Sequence, residues 1–346
     1  MWEMKNIVPI LLLIFLNSCT GQNKNTAEKE STIIRTDTII LNKLNEINDG
    51  IVYFSKDNGR TWENKSRGLP EKIKIGLGGI AASATLLGLA TKEQGIYIFD
   101  FKDSIWVHIP TDEQIIKNNI GALVFYKNEI YIGTQFGGVF FSNNQGKTWV
   151  SKNSGLGNLT IRRFAEIDNR LFVGTNGGLY SFDEPLNKWE LEFGQNALQV
   201  NGITEFEGNI YIATNQGVFK TEKEFKNWKQ VLFDSSVHNI SSDSKTIYAM
   251  TYNELLSSTD KGVSWQNIQN GLPKELYTFN VIENENVVFA GQWDGVYRKD
   301  GSSGEWKLSS NGLPNKFAIT NIKAFNGLLV SAGSERKLKT GMTTEK

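Results

Sequence analysis

Seven of the nine tryptophans in this 346-residue chain recur at a nearly constant interval. They are Trp62, Trp106, Trp149, Trp189, Trp228, Trp265 and Trp306, and successive positions differ by 44, 43, 40, 39, 37 and 41 residues. A period of about forty residues held over seven units indicates a repeat architecture, in which each unit buries its apolar surface against its neighbours. Helical repeats share this period, so the interval alone leaves both helical and β architectures open.

The sequence inside each interval reads as four short strands. Residues 120–152 contain IGALVFYKN, EIYIGT, GGVFFS and KTWVSK, separated by polar or glycine-rich turns. The next unit repeats this order as IRRFAEIDN, RLFVGT, GGLYSF and KWELEF. Four-stranded units repeating about every forty residues are typical of a β-propeller. The 11% aromatic content and the 33 glycines agree with β structure that contains many turns.

The two ends of the repeat are half units. Residues 50–65 supply a third and a fourth strand, whereas residues 319–334 supply a first and a second strand. Pairing these halves completes one blade and leaves only short, protected sheet edges. The sequence therefore predicts an all-β, seven-bladed β-propeller of four-stranded antiparallel blades over residues 32–335, closed by pairing the N-terminal and C-terminal half blades. An irregular tail is predicted at residues 336–346.

A short motif recurs just before three of the tryptophans, as SKDNGRTW, SNNQGKTW and STDKGVSW. It falls at the turn between the third and fourth strands. There, serine and aspartate or asparagine side chains accept hydrogen bonds from turn amides, and glycine permits a positive φ. The tryptophan buries a large flat surface between sheets. A structural role is expected for Ser55, Asp57, Gly59 and Trp62, for Ser142, Asn144, Gly146 and Trp149, and for Ser258, Asp260, Gly262 and Trp265.

This motif resembles the Asp-box, S-x-D-x-G-x-[ST]-W, also called the bacterial neuraminidase repeat. The copies at 55–62 and 258–265 match it in full, and the copy at 142–149 has Asn144 in place of the aspartate. The other four units keep only the tryptophan. The resemblance implies a propeller similar to those of sialidases, xyloglucanase-like glycosidases, sortilin-type receptors and the photosystem II assembly and stability factor. In these families the motif lies away from the active face.

The N-terminal region is typical of an exported protein. Lys5 precedes an apolar run at residues 7–16, which is too short to span a membrane, and Leu-Asn-Ser-Cys19 follows. This ending resembles a bacterial lipobox, which implies a signal peptide at 1–18 and a lipid on Cys19; a plain signal peptide with an incidental cysteine is the alternative. Residues 19–31 are then a polar tether. The expected location is the bacterial cell envelope, lipid-anchored and facing the periplasm or the cell surface, with no other membrane contact.

Charge and composition argue against several other classes of function. The formal net charge is zero, which gives no electrostatic reason to expect a nucleic-acid partner. The single cysteine excludes an internal disulfide. His108 and His238 have no carboxylate or cysteine at metal-ligand spacing, so no metal and no cofactor is expected.

An enzymatic role stays open, although a non-catalytic role is favoured. Sialidases use three arginines and an Arg-Ile-Pro-type segment, which this sequence lacks. Arg162 and Arg163 lie in one first strand, where alternation predicts that only one of them faces the channel. A glycosidase of another type needs two facing carboxylates, for which Glu254 and Asp294 are the candidates.

The face opposite the motif carries the loops between second and third strands. Candidate ligand-binding residues on this loop face are Phe136, Asn176, Asn215, Tyr252, Glu254, Trp293 and Asp294. Aromatic rings offer apolar platforms, and amides both donate and accept hydrogen bonds; alternatively, Asn-Gly and Gln-Gly simply suit tight hairpins. The prediction is a monomeric, non-catalytic binding or scaffold propeller that docks a protein partner or an assembling complex. The alternative is glycan binding or glycoside hydrolysis.

Overall fold

The computed structural model describes residues 50–273, 278–301 and 304–335. The predicted signal peptide, the tether with Cys19 and the tail at 336–346 lie outside these residues. All described residues belong to the compact unit Ile47–Lys346. Within its described residues, no helix has the length and apolar character needed to cross a membrane.

The described chain is almost entirely β structure. The strands in chain order are β1 (Val52–Ser55), β2 (Glu63–Asn64), β3 (Ile75–Ala82), β4 (Leu87–Thr91), β5 (Ile96–Asp100), β6 (Ile105–Ile109), β7 (Ile120–Tyr126), β8 (Glu129–Thr134), β9 (Val139–Ser142), β10 (Val150–Ser151), β11 (Ile161–Ile167), β12 (Arg170–Thr175), β13 (Gly178–Asp183), β14 (Lys188–Phe193), β15 (Val200–Phe206), β16 (Asn209–Thr214), β17 (Gly217–Glu222), β18 (Lys229–Leu232), β19 (Val237–Ser242), β20 (Ile247–Thr251), β21 (Leu255–Ser258), β22 (Gln266–Asn267), β23 (Asn280–Asn284), β24 (Val287–Gln292), β25 (Gly295–Asp300), β26 (Lys307–Leu308), β27 (Phe317–Phe325) and β28 (Leu328–Glu335). A single-turn helix, α1 (Glu113–Ile116), lies between β6 and β7.

These strands form seven four-stranded antiparallel blades. Blade 1 is β3–β6, blade 2 is β7–β10, blade 3 is β11–β14, blade 4 is β15–β18, blade 5 is β19–β22 and blade 6 is β23–β26. Blades 1 and 2 share one parallel contact, between Gly78 and Ala122. The first strands of successive blades contact one another in ring order. The chain is thus a seven-bladed β-propeller, and the predicted fold is confirmed.

The remaining blade, which we call the closing blade, combines the two ends of the described chain. Its strands run in the order β27, β28, β1, β2. β1 pairs antiparallel with β28, with Val52 opposite Ala332 and Ser55 opposite Leu329. Val52, Val330 and Ala332 are fully buried, so both apolar packing and strand hydrogen bonds hold the ring closed. The predicted pairing of the two half blades is confirmed.

The recurring tryptophans join each blade to the one before it. Six indole N–H groups donate to a carbonyl in or just beyond the outermost strand of the preceding blade. These bonds are Trp62 to Ser309 (2.7 Å), Trp106 to Lys65 (2.7 Å), Trp149 to Pro110 (2.9 Å), Trp189 to Lys152 (2.7 Å), Trp265 to Val231 (2.9 Å) and Trp306 to Ile268 (2.7 Å). The seventh, Trp228, instead stacks on Phe193 with 4.7 Å between ring centroids. The forty-residue period therefore marks one inter-blade contact per blade.

Four glycines at the blade junctions make this contact close. Gly68, Gly155, Gly271 and Gly312 have φ values between +86° and +94°. A Cβ atom added to each glycine would lie 2.0–2.4 Å from the carbonyl oxygen of one recurring tryptophan. The pairs are Gly68 with Trp106, Gly155 with Trp189, Gly271 with Trp306 and Gly312 with Trp62. In each case, the backbone N–H of that tryptophan donates to the carbonyl of the residue before the glycine. Glycine is required here by the left-handed φ and by the approach of the neighbouring backbone.

The Asp-box-like turns are held by their own side chains. Ser55 Oγ accepts a hydrogen bond from the Gly59 N–H at 2.8 Å, and Asp57 Oδ1 accepts one from the Thr61 N–H at 2.9 Å. Thr61 Oγ1 also donates to Asp57 Oδ2 at 2.6 Å. Burial opposes ionisation of Asp57, but the donors from Thr61 and Ser55 outweigh it and lower its pKa to about 2.

The other two copies of the turn repeat this geometry. Ser264 donates to Asp260 through its hydroxyl and its backbone N–H, at 2.6 and 2.9 Å, and these bonds lower the pKa of Asp260 to about 2. Asn144 Oδ1 accepts from the Thr148 N–H at 2.9 Å, while Asn144 Nδ2 donates to Thr148 Oγ1 at 2.8 Å. An amide therefore replaces the carboxylate without loss of a hydrogen bond, because the threonine hydroxyl reverses its role.

Candidate ligand-binding face

The loop face and the Asp-box-like turns lie at opposite ends of the blades. In an antiparallel blade the chain direction alternates, so the loop between second and third strands shares an end with the start of the first strand. The turn between third and fourth strands lies at the other end. The loop face therefore surrounds the mouth of the central channel, where the seven first strands begin.

A β-bulge at the start of the first strand shapes this mouth in five blades. The register shifts occur between Ile120 and Ala122, Ile161 and Arg163, Val200 and Gly202, Val237 and Asn239, and Ile319 and Asn321. Each bulge adds one residue opposite the partner strand and changes the direction of the local side chains. The bulged residues are Gly121, Arg162, Asn201, His238 and Thr320.

The bulge interrupts the strand alternation on which the expectation for Arg162 and Arg163 depended. Arg162 Nη2 donates to Gln199 Oε1 at 2.6 Å, just before β15. Arg163 Nε lies 3.4 Å from the Asn201 carbonyl, and its Nη2 lies 3.4 Å from Asn239 Oδ1. Both side chains reach toward the first strand of blade 4, because the bulge at Arg162 interrupts the alternation on which the expectation depended.

Four asparagines tie neighbouring first strands together around the mouth. Each side-chain amide donates to a backbone carbonyl of the next blade: Asn201 to Val237 (2.8 Å), Asn239 to Phe279 (2.9 Å), Asn280 to Thr320 (2.7 Å) and Asn321 to Gly76 (3.1 Å). These bonds make the mouth a rigid frame. Sequence reasoning missed them, although an asparagine near the start of each first strand from blade 4 onward was a visible signal.

Tyr252 and Trp293 stand beside this frame on blades 5 and 6. The Tyr252 side chain is 61% exposed, and its ring lies 5.6 Å from that of His238. Burial lowers the pKa of His238 to about 4, so the ring is neutral at neutral pH, and its Nε2 lies 2.7 Å from the Thr278 carbonyl. Trp293 is half-buried and packs its ring against Phe279 at 4.8 Å. Tyr252 thus rests on the buried His238 of β19, and Trp293 rests on the buried Phe279 directly before β23.

Phe136 and the two candidate loop asparagines have different surroundings. Phe136, on blade 2, is 66% exposed. In the same loop, the Gly138 N–H donates a hydrogen bond of 3.0 Å to the carbonyl of Leu159, which is itself exposed. The Asn176 side-chain oxygen is buried and has no hydrogen-bond partner in the described part of the chain. The Asn215 amide is engaged on both sides, accepting from the Gln199 N–H at 2.8 Å and donating to the Ala197 carbonyl at 3.0 Å. Asn215 therefore holds its loop in place.

The two candidate carboxylates make contacts within their own blades. Glu254 is exposed and accepts from the Asn267 amide at 3.2 Å. Asp294 Oδ2 accepts from the Tyr297 hydroxyl at 3.0 Å, while Oδ1 is buried without a hydrogen-bond partner among the described residues. Burial, with the nearby Asp294 charge, raises the pKa of Tyr297. Over residues 50–273, 278–301 and 304–335, no group of three or more His, Cys, Asp or Glu side chains is placed to hold a metal ion.

A shallow cavity on the opposite face is less suited to a ligand. Its lining includes Tyr126, Arg170, Asp183 and Glu184. Lys127 already forms an ion pair with Glu184 at 2.5 Å, and Tyr126 donates a hydrogen bond to the same carboxylate. Because these polar groups satisfy one another, the loop face is the better candidate.

Comparison with known proteins supports the fold. No protein-family model and no curated protein matches the chain. Among solved structures, the chain is similar to YCF48 bound to D1 peptide, with a TM-score of 0.62 and 12% identity over 78% of this chain and 96% of that one. It is also similar to BamB from Moraxella catarrhalis (TM-score 0.54, 12% identity, 83% and 96% coverage) and to the computationally designed Ika8 protein (0.57, 11%, 79% and 84%). At these identities, the similarity concerns the propeller fold alone.

Proposed function

We propose that this protein is a non-catalytic binding or scaffold propeller that docks a protein partner on its loop face. The observation that carries the proposal is the group of Arg162, Tyr252 and Trp293 around the channel mouth. Tyrosine, tryptophan and arginine are the residue types that dominate binding energy at protein interfaces.

The mouth is also preorganised for binding. The asparagine bonds between first strands, and the packing of Tyr252 on His238 and of Trp293 on Phe279, hold the platform before any partner arrives. A preorganised surface loses little conformational entropy on association. The solved structure of YCF48 with D1 peptide shows that a propeller of similar fold binds a peptide, which supports the same class of ligand here.

The proposal includes the location inferred from the sequence. A lipid on Cys19 and a polar tether at 19–31 would hold a monomeric propeller in the bacterial cell envelope, with its only membrane contact through the lipid. This arrangement suits a docking platform, since the tether leaves the loop face free to orient toward a partner.

Site-specific photo-crosslinking in cells that naturally make the protein tests the docking face. A photoreactive phenylalanine analogue replaces Tyr252 in one variant and Val263 in the control. Val263 belongs to the same blade, is 82% exposed and lies in the Asp-box-like turn at the opposite end. We expect a discrete protein adduct from position 252 that is lost when Arg162→Glu is added, and no such adduct from position 263. Equal adducts from both positions, or none from either, would contradict the proposal.

Glycan recognition is the second candidate, because an exposed tyrosine and a half-buried tryptophan on one face also suit sugar rings. A glycan array probed with the full-length protein and with Tyr252→Ala tests it. Specific binding that the variant loses would favour a carbohydrate ligand. A hydrolysis assay on that glycan, with Asp294→Asn for comparison, would then separate binding from catalysis.

A further inference from the structure

We propose that the hairpin loop of blade 6 binds a basic side chain, a lysine or an arginine, of the partner protein. Asp294 and Gln292 supply the oxygen acceptors of this site, and Trp293 supplies an aromatic wall. The inference rests on the docking function proposed above and adds the chemistry that the partner presents to the loop face.

The hairpin between β24 and β25 positions the three side chains. The ladder between the two strands ends at Gln292, so Trp293 and Asp294 are the two residues of the turn. Gln292 Nε2 donates to Thr278 Oγ1 at 2.6 Å, and Asp294 Oδ2 accepts from the Tyr297 hydroxyl at 3.0 Å. Each of these two side chains is therefore fixed through one polar atom, and its other polar atom is an oxygen.

Both of these remaining oxygens are buried acceptors. Gln292 is 0% exposed, and its Oε1 has no hydrogen-bond partner among the residues that the structure describes. Asp294 Oδ1 is likewise buried and unpartnered within the described ranges. An unpaired buried acceptor is costly, and an ionised one is more so. A donor group of a ligand would remove this cost at both oxygens.

The two side chains point to the same side of blade 6. Tyr297 lies opposite Ala290 on the neighbouring strand, and both pack with Leu255 of blade 5 in one hydrophobic cluster. Since side chains alternate along a strand, Gln292, two residues after Ala290, points toward blade 5 as well. Asp294 reaches the same side through its bond to the Tyr297 hydroxyl. The two unpartnered oxygens therefore lie at the loop end of blade 6, on the side that faces blade 5.

Trp293 lies between the two acceptors in the sequence and shares their support. Its ring packs edge-on against Phe279, with 4.8 Å between the ring centroids, and the residue is half-buried. Phe279 directly follows Thr278, the residue that holds the Gln292 amide. The indole ring and this amide are thus anchored to one dipeptide. Tryptophan is the aromatic residue that attracts a cation most strongly over its face.

The acceptors and the local charge select a basic group. An ammonium has three N–H donors and a guanidinium has five, and neither carries an acceptor that would oppose these oxygens. The hairpin loops at 251–255 and 291–295 contain Glu254 and Asp294 and no basic residue, so the charge of these two loops is negative. A calcium ion takes about six to eight oxygen ligands, whereas this hairpin supplies two oxygens that lack a partner in the described chain.

Fluorine NMR of the full-length protein, labelled with a fluorinated tryptophan, tests the site directly. The Trp293→Phe variant identifies the Trp293 resonance among those of the nine tryptophans. The probes are N-acetyl-lysine amide, N-acetyl-arginine amide, calcium chloride and the citrulline counterpart of the arginine probe, which has a neutral urea of nearly the same shape. We expect the lysine or the arginine probe to shift the Trp293 resonance, and the citrulline probe to leave it unchanged.

Two matched substitutions locate the charge that the probe recognises. Asp294→Asn should weaken binding of the basic probe at least tenfold, whereas Asp234→Asn should leave it unchanged. Asp234 is exposed in the connection between β18 and β19, on the same face of the propeller. The thermal midpoint of Asp294→Asn should not fall, because asparagine keeps an acceptor for Tyr297 and removes a buried, unpaired charge.

Several results would overturn the inference. They are equal shifts from the arginine and citrulline probes, a shift from calcium, and no shift from either basic probe. All three are measured on the unaltered protein, so the test does not depend on the folding of a variant.

The cross-linking experiment separates this inference from the docking proposal. In cells, the adduct from position 252 should disappear when Asp294→Asn is added and persist when Asp234→Asn is added. An adduct that Asp294→Asn retains would overturn this inference and leave the docking proposal intact. The docking proposal itself fails if position 252 gives no adduct in the otherwise unaltered protein.

Discussion

Replacing Gly312 with alanine should weaken the propeller at its ring closure. Gly312 has a φ of +92°, and a Cβ atom there would lie 2.1 Å from the carbonyl oxygen of Trp62. No rotamer change can relieve this contact, because both partners are backbone or fixed to it. The junction must move, and the bonds from Trp62 to Asn311 and Ser309, at 2.8 and 2.7 Å, lengthen with it.

The expected loss has three parts. A left-handed φ costs a non-glycine residue about 1–2 kcal/mol, overpacking costs about 1–3 kcal/mol, and a weakened hydrogen bond costs about 1 kcal/mol. Together they predict a decrease in the free energy of unfolding of roughly 3–6 kcal/mol. Gly208→Ala is the matched control: its φ is +78°, but no atom lies within 4 Å of the added Cβ. The control should lose about 1–2 kcal/mol, from the backbone strain alone.

Urea denaturation followed by tryptophan fluorescence measures both variants, and Trp62 itself reports on the junction. The midpoint of Gly312→Ala should fall by at least twice as much as that of Gly208→Ala. Equal midpoints for the two variants would show that the close approach to Trp62 does not contribute to stability, and the reasoning about blade junctions would fail.

Three other perturbations follow from contacts described above. Trp189→Phe removes a 2.7 Å hydrogen bond and should lower the free energy of unfolding by about 1–2 kcal/mol. Trp228→Phe should lower it by less, because the Trp228 indole N–H has no hydrogen-bond partner in the described chain. Urea denaturation midpoints of the two variants test this difference. Asp57 and Asp260 have folded pKa values of about 2, below the unfolded value near 3.9. Their contribution to stability is therefore complete above pH 4 and is lost as the pH falls toward 2. In the variant with asparagine at both positions, the urea midpoint should depend less on pH over that range. The pKa of His238 is about 4 when folded and near 6.5 when unfolded, so stability should fall as the pH drops from 6.5 to 4, and His238→Gln should reduce that slope.

The fold was predictable because its determinants repeat along the chain. Tryptophans at a constant interval, period-two alternation and half units at both ends are each visible without knowledge of any contact. The glycine of the segment Asn-Gly-Leu-Pro at residues 311–314 can be read from the sequence, but the reason for it cannot. The carbonyl that excludes a side chain at Gly312 belongs to Trp62, 250 positions away in the chain.

The candidate site was harder to predict, because it depends on irregularities. Alternation assumes a regular strand, and the bulge at Arg162 turned two adjacent arginines toward the same neighbour. Composition likewise does not show which amides are already engaged. Asn215 is hydrogen-bonded on both sides, whereas the Asn176 side-chain oxygen has no partner among the residues that the structure describes. The exposure of Tyr252 and Phe136 was easier to predict than any role in binding, since large rings in short loops have little protein available to cover them.

The closing blade determines how the ring responds to mechanical load. β1 begins at Val52, opposite Ala332 near the end of β28, so the two ends of the described chain leave one sheet side by side. A force that separates them acts on one end of an antiparallel pair and breaks its hydrogen bonds one after another, as in unzipping, rather than all at once in shear. Tension between these ends would therefore open the ring at this seam first, while the other six blades, each made from one continuous segment, stay intact.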